Sequence, residues 1–279
     1  MDIGCKNPAS IADSLTRTVC VAKTQASALR LTILGIFAGV YIGFGAELMI
    51  MVTHDMASFL GVGMAKLIGG AVFSVGLMLV VIAGAELFTG NNLIFLSVLD
   101  RQVTVRRLLR NWTIVYFANF VGSLLLVLLM YWSGLWKTNG GLVGASALGI
   151  ANSKVNLTFL QAFARGILCN WLVCLAVWMA VSASTVVGKV WAVFFPIMAF
   201  VASGFEHSVA NMFFIPMGLV LKGQTAIVTA AGLADKLSHL TIGGMVMNLI
   251  PVTLGNIVGG AFFVATLYWV VYLRNEKKA

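Results

Sequence analysis

Six long apolar blocks dominate the sequence, at about residues 31–52, 62–85, 112–133, 157–183, 190–222 and 241–273. A helix that crosses the hydrocarbon core of a bilayer needs about 20 consecutive, mostly apolar residues, and each block can supply them. Only 10% of the residues are charged, whereas an ordinary soluble domain has about 25%. The chain is therefore predicted to be an all-α integral membrane protein with six transmembrane helices.

The positions of the lysines and arginines predict the direction of the spans. With both termini in the cytoplasm, twelve of the 18 Lys and Arg residues fall inside, five fall outside, and Arg165 lies within a span. Positive charge is retained preferentially in cytoplasmic loops, so this distribution favours cytoplasmic termini. The same preference accounts for the net charge of +9, and no nucleic-acid partner is expected because no basic face with interleaved aromatics stands outside the blocks.

Three segments are expected: a cytoplasmic amphipathic segment at 1–28, a six-span channel domain at 29–273 and a cytoplasmic tail at 274–279. The apolar residues that recur at helical spacing in the first segment are Ile11, Leu15, Val19 and Ala22. This pattern predicts a helix lying on the membrane surface, with a gating or regulatory helix as the alternative. The polar, mixed composition of this segment does not fit a cleavable signal peptide.

The four cysteines suggest neither a metal site nor a disulfide. Cys5 and Cys20 fall in the segment expected in the cytoplasm, where thiols stay reduced. Cys169 and Cys174 lie in the fourth block, without a His or Cys partner at ligand spacing, and are expected to pack as small buried apolar residues. No cofactor and no metal are predicted.

Polar residues interrupt the second and the fifth blocks. The fifth contains Glu206 and His207 within the run 204–211, and the second contains Glu86 within the run 84–92. Ionisable groups are costly in a bilayer, and broken backbone is tolerated there only where it is buried or lines a cavity. Both interruptions are therefore predicted to border an internal pathway, with His207 at its centre.

The two interruptions repeat each other in sequence. Gly84-x-Glu86-x-x-x-x-Asn91 matches Gly204-x-Glu206-x-x-x-x-Asn211 at an offset of 120 residues. A second match pairs Asn119-Phe-Val-Gly-Ser123 with Asn256-Ile-Val-Gly-Gly260. With three spans per half, the halves run in opposite directions, which predicts an inverted 3+3 repeat with interrupted second and fifth spans. Such repeats indicate a transport pathway between the halves.

The chemistry of the interruptions favours a small anion. Helix N-termini attract anions, and Thr89 and His207 add a hydroxyl and a ring N–H. An anion is costly to desolvate between apolar constrictions, so a weak acid could take a proton from His207 and cross as a neutral molecule. Glu86, Asn91, Glu206 and Asn211 are expected to support the interrupted loops. The two glutamates are expected to accept backbone hydrogen bonds within their own loops, with proton relay as the alternative.

Three stretches resemble the formate/nitrite transporter family: Leu87-Phe-Thr-Gly90, Ala202-Ser-Gly-Phe-Glu-His-Ser-Val-Ala-Asn-Met212, and Asn248-Leu-Ile-Pro-Val-Thr-Leu-Gly-Asn-Ile-Val-Gly-Gly260. The resemblance covers about residues 28–273. It implies an aquaporin-like protomer in a homopentamer, with one pore per protomer, in the lipid of a prokaryotic cytoplasmic membrane.

The resemblance also assigns roles to individual residues. It implies that Thr89 lies in the loop that breaks the second span, that His207 is the central pore histidine, and that Lys154 lies near the outer mouth. The residues that it implies for the inner constriction are Leu77 and Phe200, and those for the outer one are Phe73, Phe88 and Val173.

The substrate is expected to be formate, exchanged with protons at His207. Gly204-Phe-Glu-His207 and the run 212–218 resemble the formate branch, while the runs 81–90 and 169–176 resemble equally the nitrite and hydrosulfide branches, which remain alternatives. A neutral-solute channel of the aquaporin type is a further alternative, although such a channel gains nothing from a titratable His207. An enzyme using Glu206 and His207 is not favoured, because the sequence offers neither a nucleophile nor a metal set.

Overall fold

The computed structural model describes residues 5–274, and most of them are helical. Six helices are long and apolar enough to cross a membrane, and shorter apolar helices follow the second and the fifth of them. Numbered along the chain, the elements are α1 (residues 8–25, in three consecutive segments), α2 (Ala28–Thr53), α3 (Ala57–Gly84), α4 (Gly90–Leu99), α5 (Val105–Ser133), α6 (Leu142–Val155), α7 (Phe159–Ser182), α8 (Val186–Ser203), α9 (Ser208–Leu221), α10 (Thr225–Ala230) and α11 (Ile242–Tyr272). The expected tail at 274–279 lies outside the described residues, except for Arg274.

The six predicted spans and both interruptions are confirmed. The second span breaks between Gly84 and Gly90, and the fifth breaks between Ser203 and Ser208. Both breaks begin at a glycine with positive φ, +92° at Gly84 and +75° at Gly204. Only glycine adopts this region without steric strain, so these two residues allow the chain to leave the helix.

The segment 134–156, which the composition suggests is a loop, contains the helix α6. Leu148 and Ala151 on this helix are fully buried. α6 packs along α9, where Gly218 approaches Ala151 so closely that a larger side chain would collide. The loop interpretation is wrong because helix formation here depends on packing against α9, whereas the Gly, Asn and Ser content of the sequence favours a loop.

The N-terminal helix α1 packs against the spans. Ile11 and Leu15 are buried in a cluster that includes Trp178 of α7. The Ser97 hydroxyl also donates a hydrogen bond of 2.5 Å to the carbonyl of Thr16. Part of the apolar side of α1 thus contacts protein, and the cytoplasmic, membrane-surface position of this helix stays a prediction.

Two halves of the chain share an order of elements: a helix, a span, an interrupted span and a further span. The short helix α10 is an addition in the second half. α1–α5 form the first half and α6–α11 the second. Glycines occupy matching helix crossings, with Gly35 of α2 against Ala118 of α5, and Gly166 of α7 against Gly255 of α11. Small residues allow close approach of helices in a membrane. Each half has three spans, so the halves run in opposite directions and form the predicted inverted repeat.

Apolar side chains cover the outward faces of the spans. Phe117 of α5 is 61% exposed and Leu160 of α7 is 73% exposed. Large apolar side chains on the outside of a bundle suit contact with lipid or with another subunit. The polar groups of the two interruptions, in contrast, lie inside.

Candidate transport site

The two interruptions meet in the interior of the folded protein. The hydroxyl oxygen Oγ1 of Thr89 lies 3.0 Å from Nε2 of His207, and both side chains are buried. Thr89 belongs to the break after α3, and His207 belongs to the break after α8. The two residues predicted for the pore centre, 118 positions apart in sequence, therefore form one hydrogen bond.

The hydrogen bonds of His207 determine its tautomer. Its Nδ1 accepts the backbone N–H of Ala210 at 3.0 Å, which caps the N-terminus of α9. A backbone amide can only donate, so Nδ1 carries no proton. The neutral ring therefore has its hydrogen on Nε2 and donates it to the Thr89 oxygen. The hydroxyl hydrogen of Thr89 then remains available to a substrate.

A buried polar cluster surrounds Glu206. Lys154 Nζ donates to one carboxylate oxygen at 3.0 Å, and the Asn211 amide donates to the other at 2.6 Å. The Asn211 amide also donates to the side-chain oxygen of Asn248 at 2.8 Å, and the Asn248 amide donates to the carbonyl of Lys154 at 2.8 Å. The four residues form a closed ring of hydrogen bonds beside His207.

The same arrangement surrounds Glu86 in the other half. Lys23 Nζ donates to Glu86 at 2.9 Å, and the Asn91 amide donates to its second oxygen at 2.7 Å. The Asn91 amide reaches the side-chain oxygen of Asn111 at 2.9 Å, and the Asn111 amide donates to the carbonyl of Lys23 at 3.2 Å. Each repeat thus contains one Lys–Glu–Asn–Asn cluster.

These clusters correct the role expected for the two glutamates. Their carboxylates accept hydrogen bonds from lysine and asparagine side chains, not from the backbone of their own loops. A permanent cation therefore lies next to each carboxylate, although neither cation is close in sequence. The sequence interpretation missed Lys23, Asn111 and Asn248. A signal was available, because Lys23 precedes Lys154 by 131 residues and Gly35 precedes Gly166 by the same distance.

Two further asparagines hold the interrupted loops in place. The Asn119 amide donates to the carbonyls of Gly35 at 2.8 Å and Glu86 at 2.9 Å, and its oxygen accepts the N–H of Phe88 at 2.9 Å. Asn256 repeats this pattern with the carbonyls of Gly166 and Glu206 and the N–H of Ser208, at 2.8, 3.0 and 2.9 Å. The second sequence match, which begins at Asn119 and Asn256, therefore marks the residues that satisfy the broken backbone.

The repeat is not symmetric at its centre. Leu87 precedes His207 by 120 residues, as Glu86 precedes Glu206, so leucine occupies the position equivalent to the histidine. Asn170 donates to the carbonyls of Thr89 at 3.2 Å and Asn256 at 2.7 Å. The fold thus contains one Thr89–His207 pair, supported by one bridging asparagine.

Two cavities border the interruptions: Leu87 and Gly90, the neighbours of Phe88 and Thr89, line one of them, and His207 lines the other. We call the first the Lys23 vestibule: it has a volume of about 850 Å³ and is lined by Lys23, Glu86, Leu77 and Leu87 among others. The second, which we call the Lys154 vestibule, has a volume of about 340 Å³. Residues that line it include Lys154, Glu206, His207, Phe73 and Phe200.

The vestibules change the expected grouping of the constrictions. Phe73 and Phe200 line the same vestibule and pack edge to face, with ring centroids 5.8 Å apart. Leu77 lines the Lys23 vestibule instead. Phe88 packs its ring on Tyr116 at 4.9 Å, and Val173 is buried; neither borders the vestibules. Their roles as constrictions stay predictions.

Comparison with known proteins gives a family match and close relatives. The family model described as formate/nitrite transporter matches residues 10–270. "Formate channel FocA" of Escherichia coli (strain K12) is 45% identical over 260 residues, which cover 92% of this chain and 91% of the relative. "Probable formate transporter" of Methanothermobacter thermautotrophicus is 44% identical over 285 residues, which cover 97% and 98%.

A solved structure gives the same result. The structure described as "Pentameric formate channel with formate bound" matches with a TM-score of 0.79 and 43% sequence identity. The match covers 88% of this chain and 98% of that chain. Each of these relatives is named as a channel or transporter, and none as an enzyme.

Proposed function

The chain belongs to the formate/nitrite transporter family, and from this premise we propose that it conducts formate through the membrane, one pore per protomer of a homopentamer. The relatives named as formate channels and the similarity to a pentameric, formate-bound channel support this substrate and this assembly. They favour formate over nitrite and hydrosulfide, the alternatives left open by the sequence.

The pathway in this proposal leads from the Lys154 vestibule past Thr89 and His207 to the Lys23 vestibule. The charge distribution of the sequence supports cytoplasmic termini, so the Lys154 vestibule faces outward from a prokaryotic cell membrane. The observation that carries the proposal is the 3.0 Å hydrogen bond between Thr89 and His207, which lies between the two vestibules. An arriving carboxylate replaces Thr89 as acceptor of the His207 Nε2–H and takes a second hydrogen bond from the Thr89 hydroxyl.

Proton exchange at His207 requires a further step. The neutral ring is a hydrogen-bond donor, but it becomes a practical acid only after a proton binds at Nδ1. That proton displaces the N–H of Ala210, so the cap of α9 opens. Nε2 can then pass its proton to a formate oxygen, and formic acid leaves as a neutral molecule for which apolar surroundings are less costly.

The neutral-solute alternative is less favoured because of the charges along the path. Both vestibules contain a lysine next to a buried carboxylate, and His207 lies between them. A titratable histidine offers little to a solute such as water, whereas its Nε2–H can donate a hydrogen bond to an anion and its ring can hold a proton for that anion.

Flux measurements in proteoliposomes test the proposal. Purified protein is reconstituted, and the rates for formate, nitrite and hydrosulfide are compared across a pH series with empty liposomes as the control. We expect formate to cross fastest, with a rate that depends on pH. A formate rate no higher than that of empty liposomes would contradict the proposed function.

A further inference from the structure

On the basis of the proposed function, we propose that Arg165 is an anion-capturing residue of the Lys154 vestibule and that it selects planar, two-oxygen anions. Arg165 lies in the second turn of α7 and lines this vestibule together with Glu206 and His207. Formate belongs to this class of planar anions, and so does nitrite, whereas hydrosulfide does not.

The charge of Lys154 is already engaged in this vestibule. Its Nζ donates to Glu206 at 3.0 Å and lies 5.2 Å from the ring centroid of Phe214. An ion pair with a buried carboxylate offsets most of the field of the lysine. An anion that enters this vestibule therefore needs another cation as its first partner.

Arg165 and Lys66 are the two remaining cations that line the vestibule. Within residues 5–274, neither has an acidic side chain as an ion-pair partner. Both residues are exposed, and both line the cavity. Their charges are therefore available to an anion that arrives from solvent.

The backbone of Arg165 is fixed against the interrupted loop. Its carbonyl accepts the N–H of Glu206 at 3.2 Å, and the carbonyl of the next residue, Gly166, accepts a hydrogen bond from Asn256 at 2.8 Å. The backbone that carries the Arg165 side chain is thus hydrogen-bonded directly to Glu206, the residue before His207. Lys66, in contrast, lies on α3, outside this network.

Comparison between the two halves separates the structural role of the position from the role of its side chain. The equivalent residue in the first half is Leu34, whose carbonyl accepts the N–H of Glu86 at 3.1 Å and which lines the Lys23 vestibule. The repeat therefore requires only the carbonyl at this position, and a leucine supplies it. The arginine side chain is an addition that the fold does not need.

The shape of the guanidinium explains the selectivity. Its N–H groups form a rigid planar fork that donates two parallel hydrogen bonds to the two oxygens of a carboxylate. Hydrosulfide has a single acceptor atom and cannot use both. Lysine supplies a positive charge without the planar fork, so Arg165→Lys separates the effect of the charge from the effect of the guanidinium shape.

Equilibrium exchange of labelled formate in proteoliposomes tests the assignment. Formate is present at equal concentrations on both sides, so the orientation of the reconstituted protein does not affect the result. The variants are Arg165→Leu, Arg165→Gln, Arg165→Lys and the matched control Lys66→Met, which removes a neighbouring vestibule cation. Size-exclusion chromatography selects the Leu or Gln variant that assembles as the wild type does.

We expect Arg165→Leu or Arg165→Gln to raise the half-saturating formate concentration about fivefold, the effect of losing one partly exposed charged contact of about 1 kcal/mol. Lys66→Met should have a smaller effect, and Arg165→Lys should recover only part of the loss. Labelled hydrosulfide loses the charge but no second hydrogen bond, so its half-saturating concentration should rise less than that of formate in the neutral variants. An unchanged half-saturation in the neutral variants, or an equal shift in Lys66→Met, would overturn the assignment. Absence of formate exchange in the wild type would instead contradict the proposed function, and this inference with it.

Discussion

Thr89→Val is the substitution that isolates the hydroxyl at the centre of the site. Valine has the shape of threonine, and Thr89 is fully buried, so packing should be preserved. The variant removes the acceptor that lies 3.0 Å from His207 Nε2. It also removes the hydroxyl that we propose as the second donor to the substrate.

The size of the effect follows from the burial of the pair. A buried donor that loses its partner costs about 1–3 kcal/mol, and such an energy corresponds to about a 5–150-fold change. In the empty site the loss falls on His207, while in the occupied site it falls on the anion. The loss in the empty site partly offsets the loss in the occupied site, so formate flux should decrease, with about 150-fold as the upper limit.

The assay is formate flux in proteoliposomes with matched amounts of wild type, Thr89→Val and Thr89→Ser. Thr89→Ser keeps the hydroxyl and should retain most of the rate, which distinguishes loss of the hydrogen bond from a packing defect. The oligomeric state of each variant is checked by size-exclusion chromatography. Equal flux in wild type and a correctly assembled Thr89→Val protein would refute the role of the hydroxyl.

Two further predictions concern stability and reactivity. Lys154→Met leaves the Glu206 carboxylate buried without its cation, which should lower the free energy of unfolding by about 3–5 kcal/mol. Adding Glu206→Gln in the double variant should restore most of this stability. Unfolding in mixed SDS micelles measures both, and no recovery in the double variant would contradict the pairing. Burial raises the pKa of the Cys20 thiol to about 12, so at pH 8 almost no thiolate is present, and iodoacetamide should modify the exposed Cys5 long before Cys20. Equal modification rates at the two cysteines would contradict the packing of α1 on the spans.

The sequence predicts the membrane architecture well because each span depends mainly on local composition. Six apolar blocks become six helices, and the glycines that begin the two interruptions are readable as single residues. The inverted repeat is also visible in sequence, since Asn119 and Asn256 perform the same task in both halves. These features can be predicted from the sequence because the bilayer imposes the same requirement on every span.

Features that depend on distant contacts could not be read in the same way. α6 is helical because α9 supports it, and α1 docks because α7 and α11 supply an apolar surface. The partners of Glu86 and Glu206 come from residues 63 and 52 positions away. Such pairings follow from the tertiary arrangement, and the sequence indicates them only through the equal spacing of the two halves.

The position of Phe200 illustrates the limit for individual side chains. The family resemblance implies that Phe200 lies near a constriction. Which vestibule its side chain lines, however, depends on how α8 is oriented about its axis. The structure places it beside Phe73, with its ring stacked on His207 at 5.9 Å between centroids. Phe200 and His207 thus lie on the same side of the site.

Formate flux as a function of pH, in liposomes that contain wild type or His207→Phe, tests the central claim most directly. Phenylalanine keeps a ring of similar size beside Phe200 but has neither the Nε2–H donor nor the Nδ1 atom that binds a proton. The account predicts that His207→Phe, assembled as the wild type is, nearly abolishes formate transport driven by a proton gradient and removes the pH dependence of any residual flux. The same rate and pH profile in both proteins would contradict the claim that a central histidine passes protons to the anion.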